Sequence, residues 1–155
     1  MGLKNWTGQG PNYVPAYQAS GTPYVTSSNG ANISSTPVKI QFPFVTRFVE
    51  IRCTGNGSAA DDASLRIGFS ANGVGGNGGS VSGSAAERAS PADNDNYFIL
   101  DPSGSTGRLE LRCKELYLQR HGSNNTGYTL IAGLTGIDYT QFPTLTGSAG
   151  FRGIG

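Results

Sequence analysis

Residues 108–118, R-L-E-L-R-C-K-E-L-Y-L, constrain this chain most, because nowhere else do apolar and charged residues alternate so strictly. Leu109, Leu111 and Cys113 share one parity, and Arg108, Glu110, Arg112 and Lys114 share the other, which is the period of a strand with one buried face. The residue types alone favour a helix, and Leu109, Cys113 and Leu116 stand at helical spacing. Strict alternation, with Gly104, Gly107 and Gly122 as punctuation, decides for a strand. Beyond Lys114 the parity reverses, since Leu116 and Leu118 fall on the formerly polar side. A bulge near Lys114 or Glu115 is expected there, and it would bend the strand as a curved sandwich needs.

Composition extends this reading to the whole chain. With 24 Gly, 8 Pro and 14% charged residues among 155, the sequence suits short strands joined by long turns in one domain large enough for its own core. A formal net charge of +1 removes the electrostatic case for nucleic acid as the main partner. Cys53 and Cys113 both fall on the apolar parity of their segments and read as buried free thiols, while a disulfide would need Cα atoms within about 7 Å. No run approaches the roughly 18 apolar residues of a membrane span, and M-G-L-K-N-W-T has neither a signal-peptide core nor, with Trp6 where Ser or Thr belongs, a myristoylation pattern. The sites Asn5, Asn32, Asn56 and Asn124 match the glycosylation pattern, which matters only on a secretory route.

Taken in order, residues 1–36 show no sustained period, and Pro11, Pro15 and Pro23 interrupt any ladder, yet Trp6, Tyr13, Tyr17 and Tyr24 supply apolar surface. They read as an extended N-terminal arm. Residues 37–135 read as the sandwich. Val38, Ile40, Phe42 and Phe44 share one parity, then Val49, Ile51 and Cys53 the other, with phase changes at Pro43 and at Thr46 and Arg47. Pro43 marks an edge or a bend, and Glu50 and Arg52 point outward, able to pair across strands with the charges of 108–114. Leu65, Ile67 and Phe69 form a short inward-facing strand, followed by a glycine-rich loop over 70–96 that reads as too glycine-rich to carry core and longer than the ~12–15 residues usual in compact domains. The apolar run 97–100 reads as a strand covered on both faces, and D-P-S-G at 101–104 as a type I turn. Tyr128, Leu130, Ala132 and Leu134 mark the last strand, and residues 136–155 a C-terminal arm. The sum is six to eight strands and no helix, an all-β antiparallel sandwich, with a single jelly roll the version that fits eight strands and two extended arms.

Catalytic signals are weak. The single histidine, His121, sits in the polar stretch R-H-G-S-N-N and reads as an exposed turn residue; no G-x-S-x-G elbow supplies a serine partner, so the chain reads as no enzyme. Asp93, Asn94, Asp95 and Asn96, with Asp61 and Asp62, offer oxygens suited to Ca²⁺, but their spacing is not that of an EF-hand, and Asx-rich turns are the plainer reading. Neither a metal nor a cofactor is expected. The glycine run lacks the G-K-[ST] ending of a phosphate loop, and Tyr139 or Phe151 would stack on sugars only if the chain were a carbohydrate-binding sandwich.

The succession P-A-Y-Q-A-S-G-T-P-Y-V-T-S-S, P-V-K-I-Q-F-P-F-V-T-R-F-V-E-I-R, L-R-I-G-F-S-A-N-G-V, N-Y-F-I-L, R-L-E-L-R-C-K-E-L-Y-L and I-A-G-L-T-G-I resembles the single jelly-roll structural proteins of icosahedral virus capsids. In particular it is similar to the penton (vertex) proteins of large double-stranded DNA viruses. The resemblance implies a virion protein forming a homopentamer at five-fold vertices, beside major and minor capsid proteins, with terminal arms tucked beneath or between neighbours. On that basis Trp6, Tyr13, Tyr17, Phe142 and Phe151 are the candidate subunit contacts, with packing on their own subunit the competing arrangement. A capsid decoration or minor cement protein, or a carbohydrate-binding module, are the other functions such a sandwich would suit.

Overall fold

The computed structural model describes residues 10–55, 63–75 and 96–145, without the side chains of 29–32. Seven strands pair antiparallel in two sheets: β1 (Thr22–Ile33), β7 (Thr126–Asp138) and β3 (Phe44–Cys53) in one, and β2 (Val38–Gln41), β6 (Glu115–Arg120), β4 (Leu65–Gly68) and β5 (Tyr97–Leu100) in the other. An eighth segment, 104–113, runs along the free edge of β3 without becoming a regular strand. Leu109 exchanges both backbone bonds with Val49 at 2.8 and 2.9 Å, and Cys53 and Thr46 donate to Gly104 and Cys113 at 2.9 Å. Numbered along the chain, the eight segments lie in orders 1-8-3-6 and 2-7-4-5, the interleaving of a jelly roll.

The alternation of 108–113 is real, but it serves a different partner from that of 115–120. Beside β3, Cys113 is buried in the core and Leu109 and Leu111 are half-buried, while Leu116 and Leu118 turn inward from β6 in the other sheet. The parity reversal at Lys114 is therefore the point where the chain crosses between sheets. Pro43 marks the corresponding corner between β2 and β3. Ile40, Phe42, Val49, Ile51, Leu65, Ile67, Leu116, Leu118 and Leu130 fill the space between the sheets, with Tyr24 set edge-on to Phe42 at 5.2 Å between centroids. Cys53 and Cys113 are free, buried thiols in this core.

Several expectations are corrected. Residues 22–33, read as arm, form β1 paired with β7; Pro23 is tolerated because β1 is an edge strand that needs no donor on its open side. Gly136, Ile137 and Asp138, also read as arm, extend β7. Among the described residues two five-residue α-helices occur, α1 (Val14–Gln18), where Pro15 stands in the first turn, and α2 (Ala71–Gly75). The start of the glycine-rich loop does carry core, since Val74 is fully buried over β4. Gly68 makes that possible: a Cβ there would meet Val74 Cγ2 at 2.4 Å. The run 97–100 is not covered on both faces, because β5 ends its sheet and leaves Phe98 and Ile99 exposed. The turn at 101–104 closes with Gly104 donating to Asp101 at 2.9 Å, but Ser103 has φ +61°, which makes it type II.

Candidate functional site

Three surface regions carry features that packing of the core does not require. The first is the flank formed by β3 and segment 104–113. Arg47 and Arg112 stand one residue to either side of the contact between Thr46 and Cys113, so the two arginines occupy neighbouring cross-strand positions, Arg47 half-buried and Arg112 exposed. Thr46 itself is buried at a bulge in β3, and its hydroxyl donates to the Leu111 carbonyl at 2.7 Å and accepts from the Cys113 amide at 3.0 Å, replacing ladder bonds that the bulge removes. Cys113 Sγ lies 3.3 Å from Thr46 Oγ1, and burial pushes its thiol up to about 11.

Both ends of the described chain are latched here. Arg47 Nη1 donates to the Ala19 carbonyl and Arg112 Nη1 to the Pro11 carbonyl at 3.3 Å, while the Arg112 guanidinium lies 4.9 Å from the Tyr17 ring centroid. Tyr17 Oη also donates to the Pro11 carbonyl, at 2.8 Å. Two residues on, Lys114 Nζ donates to the Phe142 carbonyl at 3.0 Å and to Thr144 Oγ1 at 2.9 Å. Contrary to the expectation, the charges of the alternating stretch do not pair with Glu50 and Arg52. Arg108 pairs with Glu110 at 2.7 Å, and Arg112 and Lys114 hold the terminal segments.

Of the candidate contact residues, Tyr13 is 42% exposed, Tyr17 and Phe142 are half-buried against their own chain, and Trp6 and Phe151 lie outside the described residues. Helix α1 buries none of its residues. The calcium candidates Asp61, Asp62, Asp93, Asn94 and Asp95 also lie outside the described residues; among those described, no group of three His, Cys, Asp or Glu is placed to hold a metal. No helix there is long and apolar enough to cross a membrane.

The second region is apolar and split between two places. Val25 and Ile131 are directly opposite across β1 and β7 and are 66% and 43% exposed, while Phe98 and Ile99 on β5 are 37% and 46% exposed. A four-residue turn joins β5 to Gly104, which already pairs with Cys53 beside β3, so β5 sits at the end of the sandwich opposite β1. The sequence reading missed both pairs. Val25 lay in a stretch taken for an arm, and Ile99 in a run taken for buried.

The third region is the outer face of the four-stranded sheet, which is polar yet covered. Arg66 is 1% exposed: its Nε donates to His121 Nδ1 at 3.1 Å, Nη1 to the Val74 carbonyl at 3.3 Å, and its guanidinium lies 4.4 Å from the Tyr97 ring centroid. His121 is therefore a half-buried acceptor and not an exposed turn residue, because α2 covers Arg66 and a guanidinium removed from water needs acceptors. At the other side Lys39 Nζ lies 2.6 Å from buried Glu115, whose hydrogen bond holds the Lys39 ammonium above its usual range, and burial raises Tyr117. These contacts hold the sheet's cover in place; no nucleophile and base stand together among them. Comparison with known protein families, with curated proteins and with solved structures finds no match to this chain.

Proposed function

We propose that this chain is a non-enzymatic capsid structural protein, the penton protein closing five-fold vertices as a homopentamer in the virion. The observation that carries the reading is the placement of two unlike apolar surfaces at opposite sides of a jelly-roll sandwich: Val25 with Ile131 on the β1 side, and on edge strand β5 Ile99 of the outer face with Phe98 at the rim of the core face. A closed ring needs one surface of each copy to meet a different surface of the next, and two exposed patches at opposite sides supply that arrangement. Each pair alone is far smaller than the ~800 Å² per partner of a stable contact, so a ring in which every copy uses both is favoured over an isolated dimer. The latched end segments add further surface on one flank for neighbouring major or minor capsid proteins.

Native mass spectrometry of the purified chain tests the reading, with a five-copy ring expected as the largest discrete species. Imaging of whole particles then places the chain at five-fold axes; a copy number matching the faces of the shell would make it a decoration or minor cement protein. A rigid monomer at all concentrations, with both ends protected from protease, would remove the proposal.

A further inference from the structure

We propose that Arg47 and Arg112 form a carboxylate-binding site for an acidic polypeptide segment, and that residues 11–19 of the same chain cover it in this structure. Like charges at neighbouring cross-strand positions repel, so Arg47 and Arg112, which flank the Thr46 and Cys113 contact, favour an anion on this flank. None is present: no carboxylate among the described residues lies within 4 Å of either arginine. The oxygens they meet are neutral main-chain carbonyls, Ala19 for Arg47 and Pro11 for Arg112.

The fit of this cover is incomplete. Arg47 Nε is shielded from water and has no acceptor, so only part of the guanidinium fork is used. A carboxylate approaching edge-on would engage Nε and Nη together, in the paired geometry for which guanidinium is suited, and would neutralise the repulsion that carbonyls leave in place. The cover is also held weakly. Helix α1 buries no residue; Val14 on it and Tyr13 just before it are 59% and 42% exposed. Besides lying beside β7, it is attached by the two arginines themselves and the stacking of Arg112 on Tyr17. An acidic segment would therefore displace 11–19, and Gly21, whose backbone lies against Gly133 so closely that a Cβ would stand 2.7 Å from the Gly133 Cα, marks where the displaced segment stays attached. The site stands whether or not the chain forms capsid vertices.

The test uses the full-length chain and a fluorescein-labelled hexaglutamate peptide. Saturable binding is expected by anisotropy, together with faster hydrogen exchange at the Ala16 and Ala19 amides, which the α1 bonds to Tyr13 and Pro15 now protect. Arg47→Lys, which keeps the charge and removes the fork, should weaken binding about 10-fold, and Arg47→Gln with Arg112→Gln should abolish it. A thymidine hexanucleotide should bind at least 10-fold more weakly than the peptide. The proposal is overturned if hexaglutamate does not bind, if Arg47→Lys binds it as well as the unmodified chain does, if α1 exchange is unchanged at saturation, or if the oligonucleotide binds equally and the site is a general anion patch. Ring formation by the same preparation is read separately by mass spectrometry, so loss of one property is not mistaken for loss of the other.

Discussion

The Phe48 ring occupies the space above Gly133, its cross-strand partner on the outer surface of the three-stranded sheet: a Cβ built on Gly133 would stand 2.3 Å from Phe48 Cε1. Arg108 covers the ring, with its guanidinium carbon 4.2 Å from the centroid. A glycine in mid-strand is a weakness, and an aromatic neighbour laid over it restores the lost contact. Gly133→Ala should therefore destabilise by about 1–3 kcal/mol through overpacking, although alanine is the better strand residue. With Phe48→Ala in the same chain the alanine fits, so the urea-unfolding cost of the pair should be smaller than the sum of the singles by about 1 kcal/mol. Additive costs would mean that the ring and the glycine are independent.

Alkaline stability follows from three groups whose shifts share one sign. The Cys113 thiol is raised from 9.0 to about 11 by burial. The unfolded chain ionises this thiol first, so its contribution is complete below pH 9 and is lost as pH climbs toward 11, about 2–3 kcal/mol in all. Lys39, raised chiefly by its bond to Glu115, and Tyr117, raised chiefly by burial, also lose their contributions as pH rises through their folded values. Unfolding free energy should thus fall steeply from pH 9 to 11 under reducing conditions. Cys113→Ala, less stable at pH 8, should close the gap to the unmodified chain by pH 11. A gap that stays constant over that range would assign the alkaline loss elsewhere.

Ser103 is the one residue other than glycine with a left-handed backbone among those described, at φ +61°. Pro102 before it fits either turn type, so the sequence D-P-S-G did not distinguish them; what selects type II is that Gly104 must already pair with Cys53 at the edge of β3. Ser103→Gly should relieve the strain and stabilise by about 0.5–1 kcal/mol, read as a rise of roughly 1–4 °C in Tm. A fall in Tm would show that the serine side chain gives more than its backbone costs.

Local period was enough to read the sandwich, because Leu116, Leu118, Leu130 and Leu134 each follow the pleat of a half-buried strand, and 108–113 keeps the same alternation along the edge of β3. The expected reversal near Lys114 marked a real event, a change of sheet. What period could not convey is which faces other parts of the chain cover. Arg66 is charged and buried because α2 lies on it, while Ile99 is apolar and exposed because β5 ends its sheet. The arginine pair escaped notice for a related reason. Arg47 and Arg112 lie 65 residues apart in sequence and become neighbours only through the pairing of Thr46 with Cys113. Alternation announced that Arg112 and Lys114 face outward, and nothing local said what they would hold.

The two apolar surfaces give the proposed ring a directional signature. Ile131→Asp places a charge in the patch shared with Val25, and Ile99→Asp places one on the outer face of edge strand β5. An uncompensated charge in a closing interface costs about 3–5 kcal/mol, so each variant alone should lose ring formation by more than 100-fold in concentration. Because each damages a different half of the contact, an equal mixture retains one intact junction: the sound Ile99 side of the first variant against the sound Ile131 side of the second. Neither copy can extend further. The mixture should therefore give a two-chain species containing one copy of each variant and nothing larger, which native mass spectrometry of isotopically distinguished chains would resolve. If instead Val25 and Ile131 met their own equivalents across a two-fold axis, Ile99→Asp would assemble unhindered and the mixed pair would not form, and the vertex reading would lose the contact on which it rests.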